Sequence, residues 1–369
     1  MKKRELTFFG KIHVLIWGIL VFCLVLGIFA GKIDPREHVS IAFFGLAYPF
    51  FLLLNFLMII WWCIAGRWKF ALATAVIIVL GWHPLIATIG LTGEAGEGPK
   101  KDSSLVRMMT YNVHNFKPYG ETSNESVKEQ MLNVVRTENP DIICFQEYYS
   151  RRKGSFDITD SLKSILKTKN YYFVPSSKNE YEAIGLAIFS KYPIVDKGHI
   201  IFTNNLLGNM SIYVDVMIAK KRVRVYNVHM QSISFDKQDY SYLDKVKEKI
   251  DPEITPAKRI LRMLKTAFVK RGLQVDIMKD HMKTCETPFL IAGDFNDTPA
   301  SYAVTQMTKS LNNTFVEQGT GLGRTYNGKF PNFQIDYISA TKTITVINHR
   351  IIKAMLSDHF PVRSDLRIN

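Results

Sequence analysis

Apolar and charged positions divide the chain in two. No charged residue falls between Lys11 and Lys32, between Glu37 and Arg67, or between Lys69 and Glu94. Each run reaches the roughly 20 residues a helix needs to cross the hydrocarbon core of a bilayer. Three transmembrane helices are therefore expected, over about 12–31, 41–66 and 70–92, making residues 1–93 a membrane region. A small, polar stretch broken by Gly and Pro, 94–104, reads as a linker. After it, short apolar and β-branched runs are interspersed with helical patterns. Strands are predicted over 106–111, 141–146, 171–174, 184–189, 211–218, 223–228, 289–292, 334–339 and 344–349, and helices over about 124–138, 159–168, 255–283 and 299–311. Such an alternation describes an α/β domain over 105–369.

Charge sets an orientation. Lys2, Lys3, Arg4 and Lys11 precede the first apolar run, and Arg67 and Lys69 lie in the tight link between the second and third. Basic flanks resist translocation, so the N-terminus is expected in the cytoplasm and, after three crossings, the α/β domain outside it. A cleaved signal peptide is the other reading of the first run, and the two further runs favour a retained helix. Of 47 Lys and Arg against 33 Asp and Glu, residues 101–369 hold 38 and 28, a net charge of +10. That suits an anionic partner: a phosphate ester, nucleic acid or an acidic membrane surface. The four cysteines, Cys23, Cys63, Cys144 and Cys285, have no metal-site spacing. Inert thiols are expected, with a Cys144 to Cys285 bridge left open.

The predicted strands end in polar groups. Asn112, Glu147, Asn227 with His229, and Asp294 with Asn296 each close an apolar run; Asp336 opens another, and Ser357-Asp358-His359 lies near the C-terminus. Sheet scaffolds commonly build sites by converging such tips on one rim. There is no GxSxG elbow, no HExxH and no phosphate-binding GxxxxGK[ST] loop. Carboxylates with carboxamides suit a hard cation, Mg²⁺ or Mn²⁺ in its place, and hence water attacking phosphorus.

The blocks Met109-Thr110-Tyr111-Asn112-Val113, Asp141 to Glu147, Gly185 to Lys191, Tyr226-Asn227-Val228-His229, Gly293-Asp294-Phe295-Asn296, Gln334 to Ile338 and Ser357-Asp358-His359 occur in this order. The order resembles the endonuclease/exonuclease/phosphatase superfamily of deoxyribonuclease-like enzymes. The resemblance implies a four-layer α/β/β/α sandwich and a metal-dependent phosphoesterase. It implies metal ligation by Glu147, Asn112 and Asp358, and alignment or deprotonation of the attacking water by Asp294. Asn296 would donate a hydrogen bond, His229 and His359 would contact the phosphate, Asp336 would orient His359, and Asn227 would belong to the substrate-binding set. His114 stands where some nuclease relatives have an acid, and the partner of His229 is open. The basic face of the 255–283 helix, including Arg271, is either an anion-binding face or, the preferred reading, the solvated side; its set Ile260, Leu261, Leu264 and Phe268 is read as lying on the domain, and Ser232 to Ile254 as a substrate-gating loop. A lipid head-group phosphodiesterase or lipid-anchor remodelling protein, an extracytoplasmic nuclease and a non-catalytic receptor for a phosphorylated ligand remain as alternatives.

Overall fold

The computed structural model describes residues 7–91, 93, 96–117, 125–151, 154, 157–203, 209–233, 254–328, 331 and 333–369. Its N-terminal part is helical: α1 (Phe8–Ala30), α2 (Val39–Leu46), α3 (Tyr48–Ile64), α4 (Trp68–Leu80) and α5 (Trp82–Thr88). α1 is one continuous helix of 23 residues, long and apolar enough to cross a membrane.

The other two apolar runs are not continuous helices as expected: α2 and α3 meet at 61°, α4 and α5 at 78°. Prolines account for both breaks. Pro49 has no N–H for the Gly45 carbonyl four residues back, and that carbonyl accepts a hydrogen bond from Thr298 Oγ1 at 3.2 Å. Pro84 likewise cannot donate to Leu80, and Gly81 ends α4 there. By length and composition, each bent pair amounts to at most one further span.

The long helices alternate in direction. His13 stacks on Trp61 at 5.0 Å and Asn55 Nδ2 donates to the Leu20 carbonyl at 3.0 Å, so α3 runs antiparallel to α1. Trp17 Nε1 donates to Thr74 Oγ1 at 2.7 Å and Gly81 abuts Ile28, which makes α4 parallel to α1.

The remaining elements begin with β1 (Ile89–Leu91), β2 (Val106–Asn112), α6 (Glu125–Glu138), β3 (Ile142–Arg151), α7 (Ile158–Leu166), β4 (Asn170–Lys178) and β5 (Glu182–Ser190). Then come β6 (Ile194–Ile201), β7 (Met210–Ile218), β8 (Lys221–His229), α8 (Ile254–Lys283), β9 (Phe289–Asp294), α9 (Tyr302–Thr308) and β10 (Leu311–Asn313). Last are α10 (Thr314–Gln318), β11 (Thr320–Leu322), β12 (Asp336–Thr341), β13 (Ile344–Val346), β14 (Arg350–Ile351) and β15 (Val362–Ile368).

Among the described residues one sheet runs β10-β12-β9-β8-β7-β6 and another β13-β15-β2-β3-β5-β4, with β14 beside β15. Alternation along the strands builds the layers. Val106 and Met108 of β2 join Ile142 and Cys144 of β3 against Ile212, Val225, Leu290 and Ile338 of the facing sheet. The other side of the first strands, Met109, Tyr111, Ile143 and Phe145, packs under α6 and α7. Tyr226, Val228 and Ile291 of the second sheet pack under α8 and α9. The fold is the four-layer α/β/β/α sandwich.

Several strand readings need correction. β6 and β15 and the short β1, β10, β11 and β14 were not foreseen, and the run over 344–349 is a strand only to Val346. All four cysteines are free, and the Cys285 thiol turns to the Thr287 carbonyl at 3.4 Å.

The helices sit directly on the sandwich. A Cβ added at Gly31 would stand 2.3 Å from Thr305 Oγ1, so only glycine allows this approach. Gln306 Nε2 donates to the Gly31 carbonyl at 2.9 Å, and Arg36 pairs with Asp276 of α8 at 2.6 Å. Ile260, Leu264 and Phe268 of α8 pack on Val39, Ala42, Phe43 and Leu46 of α2, so these apolar residues face the N-terminal helices, and Leu261 is exposed. The loop expected to gate the site lies, for 234–253, outside the described residues.

Candidate active site

Strand register places the polar ends. β2 and β3 pair in parallel with Asn112 opposite Gln146, and β8 and β9 in parallel with His229 opposite Asp294. β12 runs antiparallel to β9 with Asp336 opposite Asp294. Five strand ends from two sheets thus meet at one place. Gly293 has φ 142°, and a Cβ there would lie 2.0 Å from the Val228 carbonyl oxygen. Glycine is what lets β9 bring Asp294 so close to His229.

Glu147 sits where the pairing of β3 with β5 slips between Phe145 and Tyr148, with φ 50°. A left-handed glutamate is uncommon and costs free energy, and the bulge re-aims its carboxylate out of the strand. Asn112 Nδ2 donates to Glu147 Oε1 at 3.3 Å and to Asp294 Oδ2 at 3.1 Å, linking the two sheets. The Asn296 N–H donates to Asp294 Oδ1 at 2.8 Å, and its side-chain amide donates to the Met230 carbonyl.

His359 Nδ1 lies 2.9 Å from Asp336 Oδ2, and its Nε2 3.7 Å from Asp294 Oδ2. His229 Nε2 is also 3.7 Å from Asp294 Oδ2. His114 Nδ1 lies 3.5 Å from Glu147 Oε2 and 3.8 Å from Asp358 Oδ1. Glu147, His229, Asp294, Asn296, Asp358 and His359 line one cavity of about 210 Å³, and Asn112 and Asp336 brace it from beneath.

Asn227 does not reach this cavity. It is fully buried, its amide donating to the Phe145 and Ala187 carbonyls and its Oδ1 accepting from Gln146 Nε2 at 2.6 Å. With every polar atom engaged between the sheets, it has nothing left for substrate.

The ionisation of the cluster follows from its contacts. Burial by itself would raise the Glu147 carboxyl, but the hydrogen bond with His114 and the charges of His229, His114 and His359 bring it down to about 2. The same hydrogen bond raises His114. Burial would lower His359, yet Asp336, Asp294 and Asp358 together hold the imidazole well above its ordinary value. Burial pushes Asp294 the other way, upward. The result is a firmly ionised Glu147 and an imidazolium beside a carboxylate that takes up protons readily.

A family model described as the Endonuclease/Exonuclease/phosphatase family matches residues 109–257. The sandwich domain is similar to this family over those residues. Residues 10–88 match a second model, described as a Domain of unknown function (DUF8431). No curated protein matches the chain.

Among solved structures, the endonuclease/exonuclease/phosphatase of Bacteroides vulgatus is 18% identical, with 72% of this chain and 99% of that one covered at a TM-score of 0.52. That of Beutenbergia cavernae is 19% identical over 72% of each chain, TM-score 0.51. The human Nocturnin catalytic domain with bound sulfate anion is 15% identical over 72% and 95%, TM-score 0.50. At such identities these likenesses speak for the fold.

Within the site, several residues were missed or misread from sequence. Arg271 is not on a solvated face: it is 1% exposed, pairs with Asp297 at 3.1 Å and donates to the Asn296 carbonyl. Lys258, Arg262, Lys265 and Lys270 of the same helix are exposed as expected. Tyr326, in none of the motif blocks, stacks edge to face on His359 with centroids 5.5 Å apart. Glu182, near the start of β5, accepts from Tyr149 Oη at 2.6 Å and does not serve as a partner for His229.

A divalent cation fits the donor set. Glu147 is ionised and oxygen-bearing, Asp358 shares its His114 neighbour, and Asn112 reaches Glu147. Asp294, Asp336 and His359 also bring ligand atoms within 4.8 Å of one another. There, however, the surrounding carboxylates favour the imidazolium form of His359, which has no lone pair to offer a metal.

Proposed function

We propose that the chain is a membrane-anchored, Mg²⁺-dependent phosphoesterase that hydrolyses its ester by attack of water on phosphorus. The convergence of Glu147, Asn112, Asp294, Asn296, His229 and the Asp336–His359 pair at one cavity carries this reading. Glu147, with Asn112 and Asp358 beside it, is the residue set for the cation, which when bound supplies Lewis-acid polarisation of a phosphoryl oxygen. His114 occupies the place of an additional acid, and a single cation is the stoichiometry we assign.

Asp294 aligns the attacking water and accepts its proton, a task suited to a carboxyl raised by burial. Asn296 is held by its own amide bond to Met230 and by Arg271 behind it, so its position is preset. His359, kept cationic by Asp336, and His229 stabilise the negative charge that grows on the phosphoryl oxygens.

α1 anchors the enzyme, with the bent pairs as two further spans and the sandwich on the extracytoplasmic side. Lys11 at the start of α1 and Arg67 between α3 and α4 mark one end of the helices, and Gly31 and Gly45, which touch the sandwich, mark the other.

Full-length protein assayed on p-nitrophenyl phosphodiesters should be active with Mg²⁺ and silent in chelator; full activity in chelator would refute the mechanism. A C-terminal alkaline phosphatase fusion should be active and a cytoplasm-dependent fluorescent fusion dark, and the reverse pattern would invert the topology.

A further inference from the structure

The cavity that gathers the ionisable groups has an apolar side as well. Leu46, Ile233, Phe333 and Ile335 line it together with His229, Asp294 and His359. Leu46 is the last residue of α2, so an N-terminal helix itself forms part of the wall.

The apolar surface does not stop at the cavity. Phe333 meets Phe50 edge to face, with ring centroids 6.0 Å apart. Phe50 lies in the first turn of α3 and is 49% exposed. It begins an outward stripe through Leu53, Leu54, Leu57, Ile60, Trp61 and Ile64, all exposed and at helical spacing. A stripe of this size is costly in water and at home among acyl chains. One continuous apolar path therefore runs from the face α3 turns outward, across Phe50 and Phe333, to groups set for a phosphate.

A wholly hydrophilic ester, such as a nucleotide or a sugar phosphate, would have to shed water against four apolar side chains that offer its hydroxyls no partner. A phosphoester carrying a long alkyl chain meets no such penalty. Its phosphate would reach His229, His359 and Asn296 while its first methylenes lay against Leu46 and Phe333 and the rest stayed in the bilayer. The net +10 of the outer residues would also favour an anionic lipid surface.

We infer that the substrate is a lipid phosphoester, taken from the plane of the membrane through the junction of α2 and α3. This rests on the phosphoesterase reading of the same site and adds the substrate class to it.

The test uses the full-length chain in zwitterionic nanodiscs with Mg²⁺ and pairs of substrates that differ only in chain length. One pair is p-nitrophenyl methyl and p-nitrophenyl octyl phosphate, the other methyl and octyl phosphate; a dinucleotide is the hydrophilic comparison. A buried methylene is worth about 0.8 kcal/mol, roughly fourfold, so two or more methylenes against the rim should raise kcat/KM of the octyl ester at least about tenfold over the methyl ester. Leu46→Ser and Phe333→Ser should lower that octyl-to-methyl ratio. Partitioning into the disc is common to wild type and variants, so a fall in the ratio reports the cavity itself. Equal rates on methyl and octyl esters, a ratio unchanged in both variants, or preference for the dinucleotide would overturn the inference and leave the phosphoesterase standing. No hydrolysis of any ester would overturn the phosphoesterase reading itself.

Discussion

The sandwich and the N-terminal helices treat apolar side chains in opposite ways. In the sandwich alternate residues fill separate cores, and Val106, Met108, Met109 and Ile143 have no exposure at all. Its buried charges are paired, Arg107 with Asp365 at 2.7 Å and Asp215 with Arg224 at 2.6 Å. In α1, α3 and α4 the large apolar residues point outward, with Leu15, Leu53 and Ile64 exposed by 66, 55 and 78%, while polar Asn55 and Thr74 are enclosed. The sandwich makes its own nonaqueous interior; the helices leave their large apolar side chains outside. The strand-end cluster belongs to the first region and the exposed apolar surface to the second, and the cavity lies where they touch.

The strongest challenge to that division would be catalysis that survives loss of the strand-end cluster. Glu147→Gln keeps size and removes charge, and turnover should fall on the order of 10³-fold with the circular dichroism spectrum unchanged. Mg²⁺ affinity, measured by calorimetry, should fall with it.

Asp336→Asn should reduce kcat far more than it changes KM, and His359→Ala should cost on the order of 10²-fold or more. Because the two act as one unit, the double variant should be little slower than His359→Ala. Losses that multiply would assign Asp336 some other role.

Gly31→Val tests the seam between the regions. The new side chain collides with Thr305, and overpacking of this kind costs about 1–3 kcal/mol. The thermal midpoint should fall, and the fall should vanish if helices and sandwich unfold independently.

The smallest effect separates the regions by pH. Burial raises the Asp365 carboxyl, but the Arg107 hydrogen bond and charge outweigh it and hold the group below its usual value. A depressed carboxyl stabilises the fold above the unfolded pKa of about 3.9 and loses that contribution as pH falls through the folded value. As pH falls below about 4 the sandwich should therefore lose the stabilisation this group provides. α1, α3 and α4 contain no acidic residue. All five tryptophans, Trp17, Trp61, Trp62, Trp68 and Trp82, belong to the helical region. Tyrosine and β-sheet signals should thus change at higher pH than tryptophan emission, and Asp365→Asn should flatten the difference.

The site was largely legible because each strand that carries it is an apolar run closed by one polar residue, as in β2 ending at Asn112 and β9 at Asp294. β15 was not legible for the opposite reason. Arg363 and Asp365 interrupt its apolar pattern, yet both are buried, held by Glu138 and Arg107. β6 is an edge strand whose Asp196, Lys197 and Gly198 dilute its β-branched ends. Arg271 looked like its solvated neighbours on α8, and only the position of Asp297, brought in from the end of β9, turns it inward. The helix breaks had a visible signal in Pro49 and Pro84, but a scan for charge alone passes over proline. Asn227 sits at a strand end like the others, and what removes it from the site is Gln146 of the opposite sheet.

The seam of Gly31, Gly45 and the Arg36–Asp276 pair also sets how substrate is counted. With α1 in the bilayer, a sandwich clasped to it by backbone contacts keeps one height above the surface and has no tether on which to sweep through solution. For the lipid phosphoester inferred above, encounter would then become a two-dimensional search, in which the relevant concentration is mole fraction in the leaflet and the relevant diffusion is lateral. Diluting the vesicles should leave the rate per enzyme unchanged, whereas diluting the substrate with inert lipid should lower it.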